Sequence, residues 1–168
     1  DAISATIAPC QLADQPTSTN ANQREITVAT IKDEWRDPIN SALADGASCL
    51  VGTVSEDGQP QISPKGSVLV HDASKLAYWE RSFRTASANV RNNSRVVIYF
   101  RNPGKAEVLP QGATLRFYGT ARVVESGPER EAVMAKVVKR ELDADPGRKG
   151  VAIIVDVQRI TDLRGNEL

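Results

Sequence analysis

The chain has 168 residues, and its 21 basic and 21 acidic side chains give a formal net charge of zero. A chain of this length is expected to form one domain with a sizeable core. The balanced charge argues against a nucleic-acid-binding protein, which usually shows a basic excess or stripe, and no apolar run is long enough to cross a bilayer.

Residues 1–24 are rich in Ala, Ser, Thr, Asn and Gln and show no hydrophobic period. Such a composition predicts an N-terminal arm without a core of its own, held by a neighbouring subunit or only by a crystal contact, and followed by one domain over 25–168. The first ten residues lack the basic region of a secretory signal peptide. We therefore expect a cytoplasmic protein.

The first predicted element is a helix over residues 37–46. Asp37 suits the N-cap, Pro38 suits the first helical position, and Gly46 suits the end. The strand that follows contains Cys49 in an apolar run, which predicts a buried and reduced thiol. With Cys10 as the only other cysteine, no disulfide framework can form.

Strands dominate the chain after this helix. An Asp-Gly pair at 57–58 predicts a hairpin turn. The predicted strands cover residues 47–56, 59–70, 76–80, 95–101, 113–124 and 150–157. Hairpins join most neighbours, which favours a mainly β fold in which six antiparallel strands form a closed barrel with flanking helices.

The only histidine of the chain, His71, precedes a predicted turn. A single histidine argues against a zinc site and against a Ser-His-Asp triad. We expect His71 to be an ordinary residue at a strand end. No acid, base or nucleophile stands out, so the sequence leaves the catalytic residues unidentified, and no metal ligand is expected.

A capping-box pattern at 126–129 opens a second predicted helix, which ends at the Asp-Pro-Gly sequence of 145–147. Apolar residues at helical spacing form one stripe along it. This pattern is typical of a helix packed on a sheet, so we assign Met134 to the core and not to a cofactor site.

The segment Arg81-Ser-Phe-Arg-Thr-Ala-Ser-Ala-Asn-Val-Arg-Asn-Asn-Ser-Arg-Val lies between two predicted strands and holds four arginines. A short helix here would direct the unpaired N–H groups of its first turn towards Arg84, Thr85 and Ser87. Such an arrangement suits a phosphate group. Arg91 and Arg95, farther along, are expected to be solvated.

Three stretches in this order carry a resemblance to a known family. They are "LVGTVSEDGQPQISPKG" from residue 50, "LAYWE" from residue 76 and "RTASANVRNNSRVV" from residue 84. Over about residues 35–165 the chain resembles the FMN-binding split barrel of the pyridoxamine 5′-phosphate oxidase-like superfamily. The resemblance implies a six-stranded antiparallel split barrel of the Greek-key type, FMN as the cofactor, a small-molecule substrate, and a homodimer with flavin sites at the subunit interface.

The resemblance also implies which residues contact the flavin. Arg84 and Thr85 would hold its phosphate, with Arg81 and Ser82 as neighbours. The remaining candidates are Lys65, Gly66 and Ser67 in the second hairpin strand, and Arg164 reaching the partner's flavin.

Two of these candidates have a plainer alternative. Lys65 near the flavin ring would favour the reduced, anionic flavin, but it is also the kind of residue that blocks unwanted pairing at a sheet edge. Arg164 is alternatively a solvated residue near the end of the chain.

The chain departs from true pyridoxamine phosphate oxidases in two places. These enzymes carry a Ser-Arg-Lys run in the phosphate loop, where this chain has Phe83-Arg84-Thr85, and an Arg-x-His near the C-terminus, where no histidine occurs. Both differences argue against vitamin B6 oxidation. Two functions stay open: an FMN-dependent oxidoreductase, with a deazaflavin as a variant cofactor, and a non-catalytic module that binds flavin or haem.

Overall fold

The structure is a computed structural model, and it describes residues 28–168. The predicted N-terminal arm, residues 1–24, and Cys10 within it lie outside this range. No helix within the described range is long and apolar enough to span a membrane.

Seven strands form one antiparallel sheet. They are β1 (Cys49–Val54), β2 (Pro60–Lys65), β3 (Leu69–Val70), β4 (Lys75–Glu80), β5 (Arg95–Arg101), β6 (Thr114–Val124) and β7 (Val151–Thr161). Their order across the sheet is β2-β1-β5-β6-β7-β4-β3. The strand predicted over 59–70 divides into β2 and β3, which corrects the predicted count from six to seven.

The sheet curls into a half-barrel instead of the continuous closed barrel that the strand pattern predicted. β2 and β3 lie at opposite ends of the strand order, yet only residues 66–68 join them. Ser67 in this connection bonds to β4 through its hydroxyl group, which accepts a hydrogen bond from the Trp79 amide at 3.0 Å and donates one to the Trp79 carbonyl at 3.1 Å. We call this link between Ser67 and Trp79 the seam. The mainly β split-barrel fold is thus confirmed.

Short helices cover the ends and the outer face of the sheet. They are α1 (Arg36–Asn40), α2 (Thr85–Asn92), α3 (Pro128–Met134) and α4 (Lys139–Asp143). The predicted first helix begins at Arg36, two residues before Pro38, because a 3-10 turn over Asp33–Trp35 leads into α1. Asp37 therefore lies inside the helix, and Trp35 takes the N-cap position predicted for Asp37. The helix is also shorter than predicted, because α1 ends at Asn40 and turns over 41–46 lead to Gly46, which has a φ of 71°.

The second predicted helix is wrong as one continuous element. It is divided into α3 and α4, because Val138 adopts an extended backbone with ψ of 139°. Two tertiary contacts fix the chain at the break: Val137 is buried, and the Lys136 ammonium donates a hydrogen bond to the His71 carbonyl at 2.7 Å. The predicted capping box is also absent, since Gly127 takes the N-cap position.

Two apolar clusters lie on opposite faces of the sheet. The alternation of β4 sends Tyr78 into the barrel interior and Trp79 outward, where Trp79 packs with Val133 and Met134 of α3. The predicted core role of Met134 is confirmed. Cys49 is buried in the barrel interior, where burial raises the pKa of its thiol to about 12, as expected for an inert, reduced cysteine.

Asp145 fixes the outer cluster to the sheet. Its carboxylate accepts hydrogen bonds from the Trp79 indole at 2.9 Å, the Gly150 amide at 2.8 Å and the Lys149 amide at 3.1 Å. We expect Asp145→Ala to lower the free energy of unfolding by about 3 kcal/mol, because it leaves three donors without an acceptor. Urea denaturation measures this loss, and Asp143→Ala, which removes only an exposed pair with Lys139, is the matched control.

The stabilisation by Asp145 should also depend on pH. Burial raises the pKa of this carboxyl, but the hydrogen bonds from Gly150, Trp79 and Lys149 outweigh it and hold the pKa below its ordinary value. A depressed folded-state pKa makes the contribution fully present at neutral pH and lost as the pH falls below about 4. If wild type and Asp145→Ala differed as much in their free energy of unfolding at acidic pH as at neutral pH, this account would be contradicted.

Candidate functional site

The predicted phosphate corner lies where β4 ends and α2 begins. Residues 85–92 form the short helix that the sequence predicts. Val90 packs into the barrel core, and the Asn89 amide donates a buried hydrogen bond to the Thr53 hydroxyl at 3.0 Å. These contacts hold α2 across the end of the barrel, so its first turn is fixed beside the ends of β2 and β4.

The start of α2 offers hydrogen-bond donors without acceptors. Arg84 takes the N-cap position with an extended backbone, and no side chain of the described residues caps the helix. The first amides of α2 therefore lack an intrahelical acceptor. The side chains of Arg84 and Thr85 are exposed, and Arg84 forms no ion pair within residues 28–168.

Glu80 occupies the inner part of this corner, and it was not among the residues predicted from the sequence. The residue is 1% exposed, and its carboxylate accepts hydrogen bonds from the Lys65 ammonium at 2.5 Å, the Ser82 amide at 2.8 Å and the Ser82 hydroxyl at 2.6 Å. Burial would raise the pKa of Glu80, but these hydrogen bonds outweigh it and hold the pKa below its ordinary value. Glu80 is therefore ionised at neutral pH.

Of the three predicted cations at this corner, two are already paired. Lys65 contacts Glu80, and the Arg81 guanidinium lies 3.4 Å from the Glu141 carboxylate. Only Arg84 keeps an unpaired charge among the described residues. The corner thus carries a net charge of one positive unit instead of the three that its cations alone would give.

Gly66 and Ser67 serve contacts within the chain. A Cβ atom at Gly66 would lie 2.7 Å from a Glu141 carboxylate oxygen and 3.0 Å from a Leu43 methyl group, so the missing side chain makes room for these two residues. The single hydroxyl proton of Ser67 is donated to Trp79 across the seam. Neither residue presents a free side-chain donor to a ligand.

Arg164 lies far from the corner within one chain. Glu80 pairs with Val151, the first residue of β7, whereas Arg164 follows Thr161, the last residue of β7. An eleven-residue strand spans roughly 30 Å. The structure therefore brings seven of the eight predicted residues together around the end of β4 and leaves Arg164 apart from them.

The corner is open to solvent in a single chain. Residues 81–85 are all exposed. None of them lines the three open clefts of about 290, 850 and 580 Å³ among the described residues, although Ser67 lines the first of these. A flat cofactor bound here would need a second wall that residues 28–168 of one chain do not supply.

Phe83 is a further residue that the sequence analysis did not single out. Its backbone has a φ of 48°, which non-glycine residues rarely adopt, and its side chain is 49% exposed. The left-handed conformation turns the chain from β4 into α2. The available signal was a lone aromatic residue in a polar, arginine-rich segment. Its ring is free to cover a planar ligand or a neighbouring subunit.

His71 follows β3, as expected of a strand-end residue. Its Nδ1 atom is buried and has no hydrogen-bond partner among the described residues. Burial, with the nearby Lys136 charge, lowers the pKa of His71. Because Val70 pairs with Leu76, His71 lies at the opposite end of β4 from Glu80. It therefore does not belong to the corner.

Solved structures share the fold of this chain. HupZ of Group A Streptococcus has 27% sequence identity and a TM-score of 0.63, covering 82% of this chain and 97% of its own. An F420 reductase has 18% identity and a TM-score of 0.50, with coverages of 73% and 94%. A haem-binding protein from Mycobacterium smegmatis has 17% identity and a TM-score of 0.55, with coverages of 79% and 54%.

The sequence itself gives the family. No curated protein matches the chain in a direct comparison. Residues 31–163 match the family model described as pyridoxamine 5′-phosphate oxidase. This match covers most of the chain and agrees with the split-barrel sheet, and it shows that the chain belongs to the pyridoxamine 5′-phosphate oxidase family.

Proposed function

We propose that the protein binds FMN at the start of α2 and acts as a flavin-dependent oxidoreductase on a small molecule. The observation that carries this proposal is the uncapped first turn of α2 beside the unpaired Arg84 and the exposed Thr85. A phosphate monoester carries close to two negative charges and takes charge-assisted hydrogen bonds from such donors. Outer donors of this kind fit the phosphate of FMN.

The donors in the inner half of the corner are less available to a phosphate. Lys65 and Ser82 already serve the Glu80 carboxylate, so the phosphate is left with the outer half of the corner. A bound flavin would supply the hydride and electron chemistry, while the protein holds the phosphate, positions the ring and excludes water. The exposed Phe83 ring is suited to cover one face of the flavin.

We further propose that the site is completed in a homodimer. Two observations support this. Residues 81–85 are exposed in the single chain, and Arg164 lies roughly 30 Å from Glu80 along β7. In a two-fold symmetric dimer, the Arg164 end of one subunit can face the α2 corner of the other.

A non-catalytic module that binds haem or flavin is the second candidate function. The observation that favours it is the buried Glu80, which places a negative charge where a flavin phosphate would otherwise find its strongest donors. A haem-binding protein also shares this fold. His71 would be the only histidine of the chain available as an axial ligand, and its Nδ1 atom is buried.

The absorption spectrum of the purified protein separates these functions. We expect flavin bands, FMN as the cofactor released on denaturation and identified by mass spectrometry, and bleaching of the flavin on anaerobic titration with NADH or NADPH. A Soret band would instead indicate haem, and a released deazaflavin would replace FMN within the same enzyme class. Bound flavin that no reductant bleaches would favour the module.

A further inference from the structure

We propose that Glu80 is an internal anion that competes with phosphorylated ligands for the inner half of this site and sets the affinity of the chain for them. The inference rests on the proposed function, because it concerns the same corner. It goes beyond that function in naming the residue that limits phosphate binding.

The first step is the geometry of the carboxylate. Glu80 uses one oxygen to accept from the Lys65 ammonium and the other to accept from both the amide and the hydroxyl of Ser82. A cation, a backbone N–H and a hydroxyl converging on one anion are also the donors that a phosphate takes. The protein thus fills this donor set with its own side chain.

The second step is the burial of the pair. The side chains of Lys65 and Glu80 are 12% and 2% exposed, so the pair is little screened by solvent. Lys65 cannot leave Glu80 for a ligand without stranding a buried charge, which is strongly unfavourable. A phosphate therefore gains little from Lys65 while Glu80 is ionised.

The third step is the charge of the corner. Its three cations, Lys65, Arg81 and Arg84, face two carboxylates, Glu80 and Glu141, which leaves one positive unit. Removing the Glu80 charge raises the net charge to two positive units and frees Lys65. The number and the charge of the available phosphate donors then increase together, while the contacts available to the flavin ring stay as they are.

The test compares FMN with riboflavin, which lacks the phosphate. Wild type and Glu80→Gln, each stripped of cofactor, are titrated with both flavins by fluorescence quenching at pH 7.5. We expect Glu80→Gln to bind FMN at least about tenfold more tightly than wild type, because the phosphate then gains charge-assisted hydrogen bonds from the freed Lys65. Riboflavin binding should change less than about twofold, since it makes no phosphate contact.

A second substitution isolates the role of Lys65. In the double variant Glu80→Gln with Lys65→Met, the gain in FMN affinity should disappear, because the freed cation is gone. Glu129→Gln is the matched control, since its carboxylate pairs with Arg122 away from the corner. Equal FMN affinity in Glu80→Gln and wild type, or an equal gain in Glu129→Gln, would overturn the inference.

The outcomes also separate this inference from the proposed function. FMN binding by Glu80→Gln but not by wild type would support the role of Glu80 and reject FMN as the cofactor of the natural chain. FMN binding by wild type without a gain in Glu80→Gln would support FMN as the cofactor and reject the role of Glu80. No flavin binding by either protein would reject the proposed function and the role of Glu80 together. Circular dichroism checks folding, and Glu80→Thr, whose β-branched side chain suits a strand, replaces Glu80→Gln if that variant does not fold.

Discussion

Arg84→Ala should weaken FMN binding by about 2–3 kcal/mol, or roughly 30- to 150-fold in the dissociation constant, through loss of charge-assisted hydrogen bonds to the phosphate. Arg84 carries the one unpaired charge of the corner within residues 28–168, and it stands at the N-cap of α2. Removing it leaves the phosphate only the amides of α2 and the Thr85 hydroxyl. Fluorescence titration of the apoprotein with FMN measures the loss.

Arg91→Ala is the control for this prediction. Arg91 lies in the last turn of the same helix, where it pairs with the exposed Glu125. Its removal changes the net charge by the same amount. FMN affinity should stay within about twofold of wild type, because Arg91 lies at the other end of α2 from the proposed phosphate donors and its exposed pair contributes little to stability. If Arg84→Ala retained stoichiometric FMN at wild-type affinity, the phosphate site would lie elsewhere.

Gly119→Ala is expected to destabilise the fold by about 3 kcal/mol or more, because the added methyl group has no space. Gly119 lies at the irregular register of β6 against β7, next to Tyr118. A Cβ atom there would overlap the backbone carbonyl oxygen of Asp156, which cannot move without breaking the pairing of the two strands. Strand backbone yields far less easily than the end of a side chain.

Thermal and urea denaturation followed by circular dichroism measure this effect. Gly104→Ala is the matched control, since its Cβ atom would meet only the Asn102 side-chain oxygen, at 3.4 Å. We expect Gly104→Ala to stay within about 1 kcal/mol of wild type. A Gly119→Ala variant of wild-type stability would mean that β6 and β7 pair in a different register.

Local signals in the sequence predicted the elements that local contacts decide. The Asp-Gly pair at 57–58 forms the turn between β1 and β2, with Gly58 at a φ of 89°. The strand predicted over 95–101 has the same bounds as β5. The short helix after β4 forms where its arginine, threonine and small residues indicated.

Tertiary contacts decided the elements that were predicted wrongly. The apolar stripe of the second helix runs through Val137 and Val138 without a break, and nothing in the local sequence shows that Lys136 reaches the His71 carbonyl. The predicted strand over 59–70 is likewise interrupted at 66–68, where Gly66 is the one local signal of a break. β2 ends at Lys65, and the Ser67 side chain bonds to Trp79 of β4, twelve residues away.

The sequence predicted the cationic residues of the candidate site but not the net charge of the site. Lys65, Arg81 and Arg84 stand out in the sequence as candidate phosphate ligands. Their partners come from distant parts of the chain: Glu80 lies fifteen residues after Lys65, and Glu141 lies sixty residues after Arg81. The pairing depends on the curl of the sheet and on the position of α4, which no local pattern reports.

The seam is a place where the barrel is held by few hydrogen bonds. The backbone pairing between β3 and β4 does not extend to Trp79. The Trp79 amide donates instead to the Ser67 hydroxyl group. Fluctuations that lift residues 66–68 away from β4 therefore break few hydrogen bonds and are expected to occur well below the free energy of global unfolding. Lys65 lies two residues before the seam, so each such opening would expose the otherwise buried pair of Lys65 and Glu80 to water.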